Sequence, residues 1–253
     1  MRHKYFAIRL MKEFPVSSVL LESHITNTVE NYVKEPSDVM KGHFIEFDEM
    51  EKRYFQKYVD QNESFFKSKL ILEIAKGAIN SEGTLSFLKK IDPKVIAVHS
   101  TSLIGEKLIS EFPRRLINLH AGLSPYYRGS ATNVWPFFNN ELEYVGMTVH
   151  YIDKGIDSGD IILQGRPEFE ECDNTHSIGC KNVILGTDLM VKVIRGYLKC
   201  GPPQALQQDK NNGKLYMKKH FTDKIVLEIK NRIENGLVKE YARCPKKINI
   251  VES

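Results

Sequence analysis

The chain has 253 residues, enough to bury a full core as one large domain or as one domain with a small appendage, which excludes a short solenoid. Hydrophobic residues at 42% and charged residues at 27% describe an ordinary globular protein, and a net charge of +4 from 36 basic and 32 acidic residues implies no DNA partner. No apolar run reaches about 18 residues and no signal segment opens the chain, so the expectation is a cytoplasmic protein with no membrane partner.

Tyr5 to Glu13 carries Phe6, Leu10 and Met11 at helical spacing, and Val16 to Glu22 (VSSVLLE) follows as a short buried strand. The first element is thus a helix, where a doubly wound fold opens on a strand, and no glycine precedes Gly42 to build a dinucleotide fingerprint. From His24 to about Lys67 the chain is charged and aromatic. Helices are expected there, with Phe44, Phe47, Tyr54, Phe55, Tyr58, Phe65 and Phe66 covering the edge of a core. Leu70 to Ala78 and Thr84 to Ile91 read as helical turns, the second ending before Pro93.

Val95 to Val98 (VIAV) and Leu116 to Leu119 (LINL) are continuous apolar runs of parallel-strand type, separated by a helix from Leu103 to Ile109. Gly122 to Gly129 reads as a loop, Ala131 to Phe138 as a helix, Gly146 to Ile152 as an alternating strand, and Ile161 to Leu163 as another. Leu185, Leu189, Val193 and Tyr197 repeat every four residues in a long amphipathic helix ending at Cys200 and Gly201. Val226 to Leu237 makes the final helix, capped by Thr222 or Asp223. The fold class expected is an α/β, doubly wound, mostly parallel sheet short of a first strand. Residues 1–200 form its catalytic domain, and 201–253 a short extension packed on the same domain. Cys172, Cys180, Cys200 and Cys244 have no C-x-x-C spacing and read as free thiols, with no metal site.

One stretch carries chemistry. Asn118-Leu119-His120 leaves the end of an expected parallel strand, where open α/β sheets hold their ligand crevice, and side chains two apart share a face. His150 to Asp160 then turns sharply on two glycines while presenting Asp153, Asp157 and Asp160; residue physics alone does not choose among the three.

The segments Ile117 to Gly129 (INLHAGLSPYYRG) and Gly146 to Ile162 (GMTVHYIDKGIDSGDII) resemble the two signatures of the folate-dependent formyltransferases. That family includes the glycinamide ribonucleotide, methionyl-tRNA and amino-sugar enzymes. The resemblance implies catalytic roles for Asn118, His120 and Asp157, with N10-formyltetrahydrofolate as donor and a primary amine as acceptor. It is convincing from about Pro93 to Leu163. It also implies a folate crevice between Ser100, Thr101, Ser102 and Leu103 on one side and Ile152, Asp153, Lys154 and Gly155 on the other. Gly122, Leu123, Ser124, Pro125, Tyr126, Tyr127, Arg128 and Gly129 resemble the loop beside the acceptor, with Arg128 set to grip a phosphate or to order the loop by a salt bridge.

Attack on the formyl carbon creates an oxyanion that the Asn118 amide and a protonated His120 would stabilise, with Asp157 keeping His120 cationic. Where the family has a strand and a glycine turn, this chain has a helix. Arg2, His3 and Lys4 would then supply a positive field, or simply be solvated. The acceptor expected is a small amine, a nucleotide-linked sugar that Tyr126, Tyr127, Trp135 and Tyr144 would stack against. The alternatives are a methionyl-tRNA formyltransferase-like enzyme, a formyltetrahydrofolate hydrolase, or a folate-binding scaffold. A homodimer is expected only from the prevalence of two-fold assemblies.

Overall fold

The computed structural model describes residues 1–23, 36–209 and 211–252; the 24–35 part of the charged, aromatic segment lies outside the described residues. The chain opens with helix α1 (Arg2–Glu13), which buries Tyr5, Phe6, Ile8, Leu10 and Met11. Strand β1 (Val19–Glu22) pairs in parallel with β2 (Ile71–Ile74), from Val19 opposite Ile71 to Glu22 opposite Ile74. Two expectations change here. The strand near Val16 starts later and is only half-buried. Leu70 to Ala78 is not helical: a short apolar run of this length suits either state, and ladder hydrogen bonds to β1 decide for a strand.

Helices α2 (Asp38–Gln61) and α3 (Glu63–Lys67) bury Phe44, Phe55 and Phe66, the core-edge role expected of those rings. They also take up the amino-terminal charges, since Arg2 pairs with Glu51 at 2.8 Å and Lys4 with Glu63 at 3.3 Å. Two of the three residues expected to make an open positive field are therefore neutralised locally.

Helix α4 (Glu82–Ile91) is capped by Ser81, whose side chain accepts from the Thr84 N–H. Strand β3 (Ile96–Val98) follows, then helix α5 (Glu106–Glu111). The expected start of α5 at Leu103 is displaced because Asn80 holds Leu103 O and the Gly105 N–H, at 2.8 and 2.6 Å, outside the helix.

Strands β3, β4 (Leu116–His120), β6 (Met147–Tyr151) and β7 (Ile161–Gly165) form a four-stranded sheet in that order, parallel between β3 and β4 and antiparallel beyond. Between β4 and β6 lie β5 (Tyr127–Gly129) and the short helix α6 (Trp135–Asn139). The stretch expected as loop to Gly129 thus ends in a strand, because it finds a partner late in the chain: β5 runs parallel to β8 (Lys214–Tyr216). The long helix α7 (Thr175–Cys200) has an Asn174 capping box, and α8 (Asp223–Glu234) and α9 (Leu237–Arg243) close the fold. Gly236, at φ +95°, ends the expected single last helix early and starts α9. The architecture is the expected α/β, Rossmann-like one, with C-terminal helices.

Period-two geometry separates core from site. Ile117 and Leu119 on β4 and Met147, Val149 and Tyr151 on β6 point to one face, against Phe6 and Leu10 of α1 and Met190, Val193 and Ile194 of α7. Full burial of each such aliphatic side chain stabilises by roughly 1.5–3 kcal/mol. The same alternation turns Asn118, His120, Thr148 and His150 to the opposite face. β6 is buried along both sides, because connecting loops cover its polar face. Among the described residues no helix is long and apolar enough to cross a membrane.

Candidate active site

The β4–β6 register builds the site, since Asn118 stands opposite His150 and His120 opposite Thr148. His150 Nδ1 lies 2.7 Å from Tyr151 O, which puts its proton there and leaves Nε2 as acceptor for the Asn118 amide at 3.1 Å. The same Asn118 nitrogen donates to Asp157 Oδ1 at 3.3 Å. Both amide hydrogens are therefore engaged, one with an imidazole and one with a carboxylate.

Of the three candidate acids, tertiary structure selects Asp157. Asp153 turns back on its own loop and accepts from Gly155 N at 3.0 Å and Ser158 Oγ at 2.8 Å. Asp157 sits at φ +48° and directs Oδ2 to within 3.4 Å of His120 Nδ1 and 3.0 Å of the Gly129 N–H that donates to it. Its burial opposes the charge, but the neighbouring His120 and His150 and the Gly129 N–H outweigh that and hold the carboxyl well below the usual range.

His120 is buried, with Nε2 at 2.9 Å from Tyr127 O. Burial lowers its pKa, and Asp157 only partly opposes this. Burial thus works against the cation that Asp157 was expected to keep, while the two acceptors at its ring nitrogens, Tyr127 O and the Asp157 carboxylate, work for it. With Nε2 donating to Tyr127 O, Nδ1 is the nitrogen that faces Asp157, so a proton at Nδ1 has a carboxylate beside it. Gly122 permits this packing, since a Cβ there would stand 2.7 Å from His120 Nε2.

The other expected residues divide by exposure. Gly122, Leu123, Ser124 and Tyr127 are buried and form the inner wall of their loop, so they support the site rather than face an acceptor. Pro125, Tyr126, Arg128 and Gly129 remain on its accessible side. Tyr127 donates its hydroxyl to Glu141, which also holds Lys214 at 2.9 Å. Trp135 stacks on Tyr216 with centroids 4.0 Å apart, and Tyr126 packs on Tyr144 at 4.5 Å. The rings expected to stack against a nucleotide are thus packed against other rings of the protein, Tyr216 among them.

Of the residues expected to hold the folate, Ser100, Thr101, Ser102 and Leu103 precede the segment that meets Ile152, Asp153, Lys154 and Gly155. Lys154 pairs with Glu106 at 3.1 Å, and Ile152 packs in the cluster that holds Ile104. Ser102 N donates to Glu22 at 2.7 Å, and Leu103 is 67% exposed.

Sequence reasoning passed over His150, which becomes a candidate only once β6 is known to run antiparallel to β4. It also passed over Thr148, which accepts from Ser124 N at 3.0 Å and donates to Gly122 O at 2.6 Å.

A family model for formyl transferases matches residues 66–194, about half of the chain and every one of these strand-borne groups. The chain belongs to the formyl transferase family. Among its relatives are the methionyl-tRNA formyltransferase of Clostridium tetani (strain Massachusetts / E88), 36% identical over 131 residues, and that of Solibacter usitatus (strain Ellin6076), 33% identical over 132. These matches take in 51% and 52% of this chain but only 41% and 42% of those proteins. The family fold extends further. The chain is similar over 84% of its length to the formyltransferase PseJ from Anoxybacillus kamchatkensis, covering 96% of that chain at TM-score 0.52 and 18% identity. It is similar over the same share to phosphoribosylglycinamide formyltransferase from Anaplasma phagocytophilum, covering 93% of it at TM-score 0.56 and 16% identity.

Proposed function

We propose that the protein transfers a formyl group from N10-formyltetrahydrofolate to a primary amine, with Asn118, His120 and Asp157 as the catalytic residues. What carries the reading is one arrangement: Asp157 stands 3.3 Å from the Asn118 amide and 3.4 Å from His120 Nδ1. The donor would lie between the 100–103 and 152–155 loops. The amine forms its bond to the formyl carbon, and the carbon–N10 bond then breaks. The Asn118 hydrogen now on Asp157, in the longer of its two bonds, is the one free to turn to the oxyanion. Neutral His120 accepts the amine proton at Nδ1, and the imidazolium so formed lies against Asp157 while negative charge sits on the substrate. That proton then leaves with N10 of the folate.

Two acceptors deserve testing. Methionyl-tRNA is favoured by the relatives at 33–36% identity, and the segment from Gly201 onward holds eleven Lys and Arg against six Asp and Glu, an excess of positive charge that suits a polyanion. A nucleotide-linked amino sugar is the second, with less support now that Tyr127 and Trp135 are buried. We also take residues 201–253 to work as one unit with 1–200, because β8 pairs with the strand that ends at Gly129.

The test is incubation with the formyl donor and, separately, methionyl-tRNA, nucleotide-linked 4-amino sugars and free amino acids, followed by mass spectrometry for one added formyl group. No formylated product from any acceptor would reject the transferase reading. Formate released without amine, as fast as the best transfer, would assign a hydrolase instead.

A further inference from the structure

Asp157 has a left-handed backbone, uncommon for a residue bearing a side chain and steadied by its surroundings. The holding group comes from 51 residues further along the chain. Gln208 is buried at 5% exposure, and its Nε2 donates to Asp157 O at 3.1 Å and to Gly159 O at 2.6 Å. One carboxamide nitrogen thus bridges the two carbonyls that flank Ser158. The segment carrying Gln208 is itself fixed, since Leu206 and Ile161 exchange backbone hydrogen bonds of 2.7 and 2.8 Å. Ser124 Oγ adds a weaker contact to Asp157 O at 3.4 Å.

We propose that Gln208 is a positioning residue for Asp157, clamping the 157–159 turn so that the carboxylate stays aimed at His120 Nδ1 and the Gly129 N–H. Only a group with two hydrogens on one nitrogen, at the end of a side chain this long, satisfies both carbonyls at once. Without it the Gly159 carbonyl loses this donor and the Asp157 carbonyl keeps only the longer Ser124 contact, and the turn relaxes toward conformations that suit them better. The carboxylate then leaves His120, which loses the negative charge that opposes its burial. The effect on turnover rests on the reading of Asp157 and His120 as reacting groups; the clamp itself does not.

Gln208→Met matches the side chain in size and removes both donors without adding charge. Gln208→Asn keeps the donors but falls one methylene short. In the full chain carrying ring-15N histidine, the His120 titration is followed by NMR, assigned by its loss in His120→Asn, and kcat and donor KM are measured alongside.

Gln208→Met is expected to move the His120 midpoint to lower pH and to lower kcat by about 100-fold, the scale of a misplacement near 1 Å, with donor KM within about twofold of wild type. Gln208→Asn should fall between the two. A purely structural role predicts a lower Tm with the His120 midpoint unmoved, and that result overturns the proposal, as does kcat within twofold of wild type in Gln208→Met. If Gln208→Met does not fold, the same two readouts on Gln208→Asn decide. If the wild type transfers no formyl group, the functional reading fails while the comparison of His120 midpoints still decides the clamp.

Discussion

The backbone N–H of Gly129 meets Oδ2 of Asp157 at 3.0 Å, and this short contact joins the carboxyl-terminal part of the chain to the candidate active site. Gly129 is at φ +95° and pairs with Tyr216 across β5 and β8. A Cβ there would stand 2.1 Å from Tyr216 O, closer than any side chain tolerates. Gly129→Ala is therefore expected to destabilise the protein by about 3 kcal/mol, from backbone strain plus the broken pairing. It should lower kcat by more than about tenfold, because the N–H leaves Asp157. Urea unfolding and steady-state kinetics on the variant check both; wild-type values in either would show that the strand pairing is dispensable.

Asn118→Ala removes the amide that donates to both His150 and Asp157. Loss of one oxyanion donor is worth about 3 kcal/mol, so kcat should fall by about 100-fold while donor affinity changes little. Single-turnover rates and donor titration separate the two. An unchanged kcat would remove Asn118 from the reaction.

The rate should depend on pH through His120. Burial lowers its pKa below the ordinary 6.5, so the neutral base is present at pH 7 and activity is lost as pH falls through a midpoint below 6.5. The acid limb of kcat/KM should lie there and vanish in His120→Asn, whose residual rate is flat. A His120-dependent loss of activity as pH rises, in place of the acid limb, would mean that the working form of His120 is the cation.

Stability should fall in acid for a separate reason. His43 and His176 pack with ring centroids 4.7 Å apart, and burial pulls both down to about 4, while Glu46 lies 3.7 Å from His176. Folded pKa values below the unfolded 6.5 mean that the unfolded chain binds protons first. The stability is thus complete above about pH 6.5 and is lost as pH falls from there toward 4. Urea midpoints at pH 7.5, 6 and 5 should decline, and His43→Gln should flatten the decline. An identical slope in that variant would place the sensitivity elsewhere.

Much of the site was legible in the linear order. Asn118 and His120 are two apart on a strand, and that spacing alone puts them on one face. The long helix that carries Leu185 to Tyr197 and ends at Cys200, and the strands at Leu116 and Ile161, were equally readable, because long or unbroken apolar patterns leave few alternatives. The stretch from Leu70 was not, since an apolar run of a few residues becomes strand or helix according to its neighbour, here β1.

By itself, then, the order of residues determined the fold class and the polar groups that leave the strand ends, because side-chain periodicity is a local property of the backbone. Tertiary structure alone decided that Asp157 and not Asp153 faces His120, that His150 stands opposite Asn118, and that Gln208 and Tyr216 reach back to the site. Those relationships depend on strand register and on chain segments that meet only after folding. The charge on His120 belongs with them, since desolvation is set by everything that surrounds the ring and not by the residues beside it in the chain.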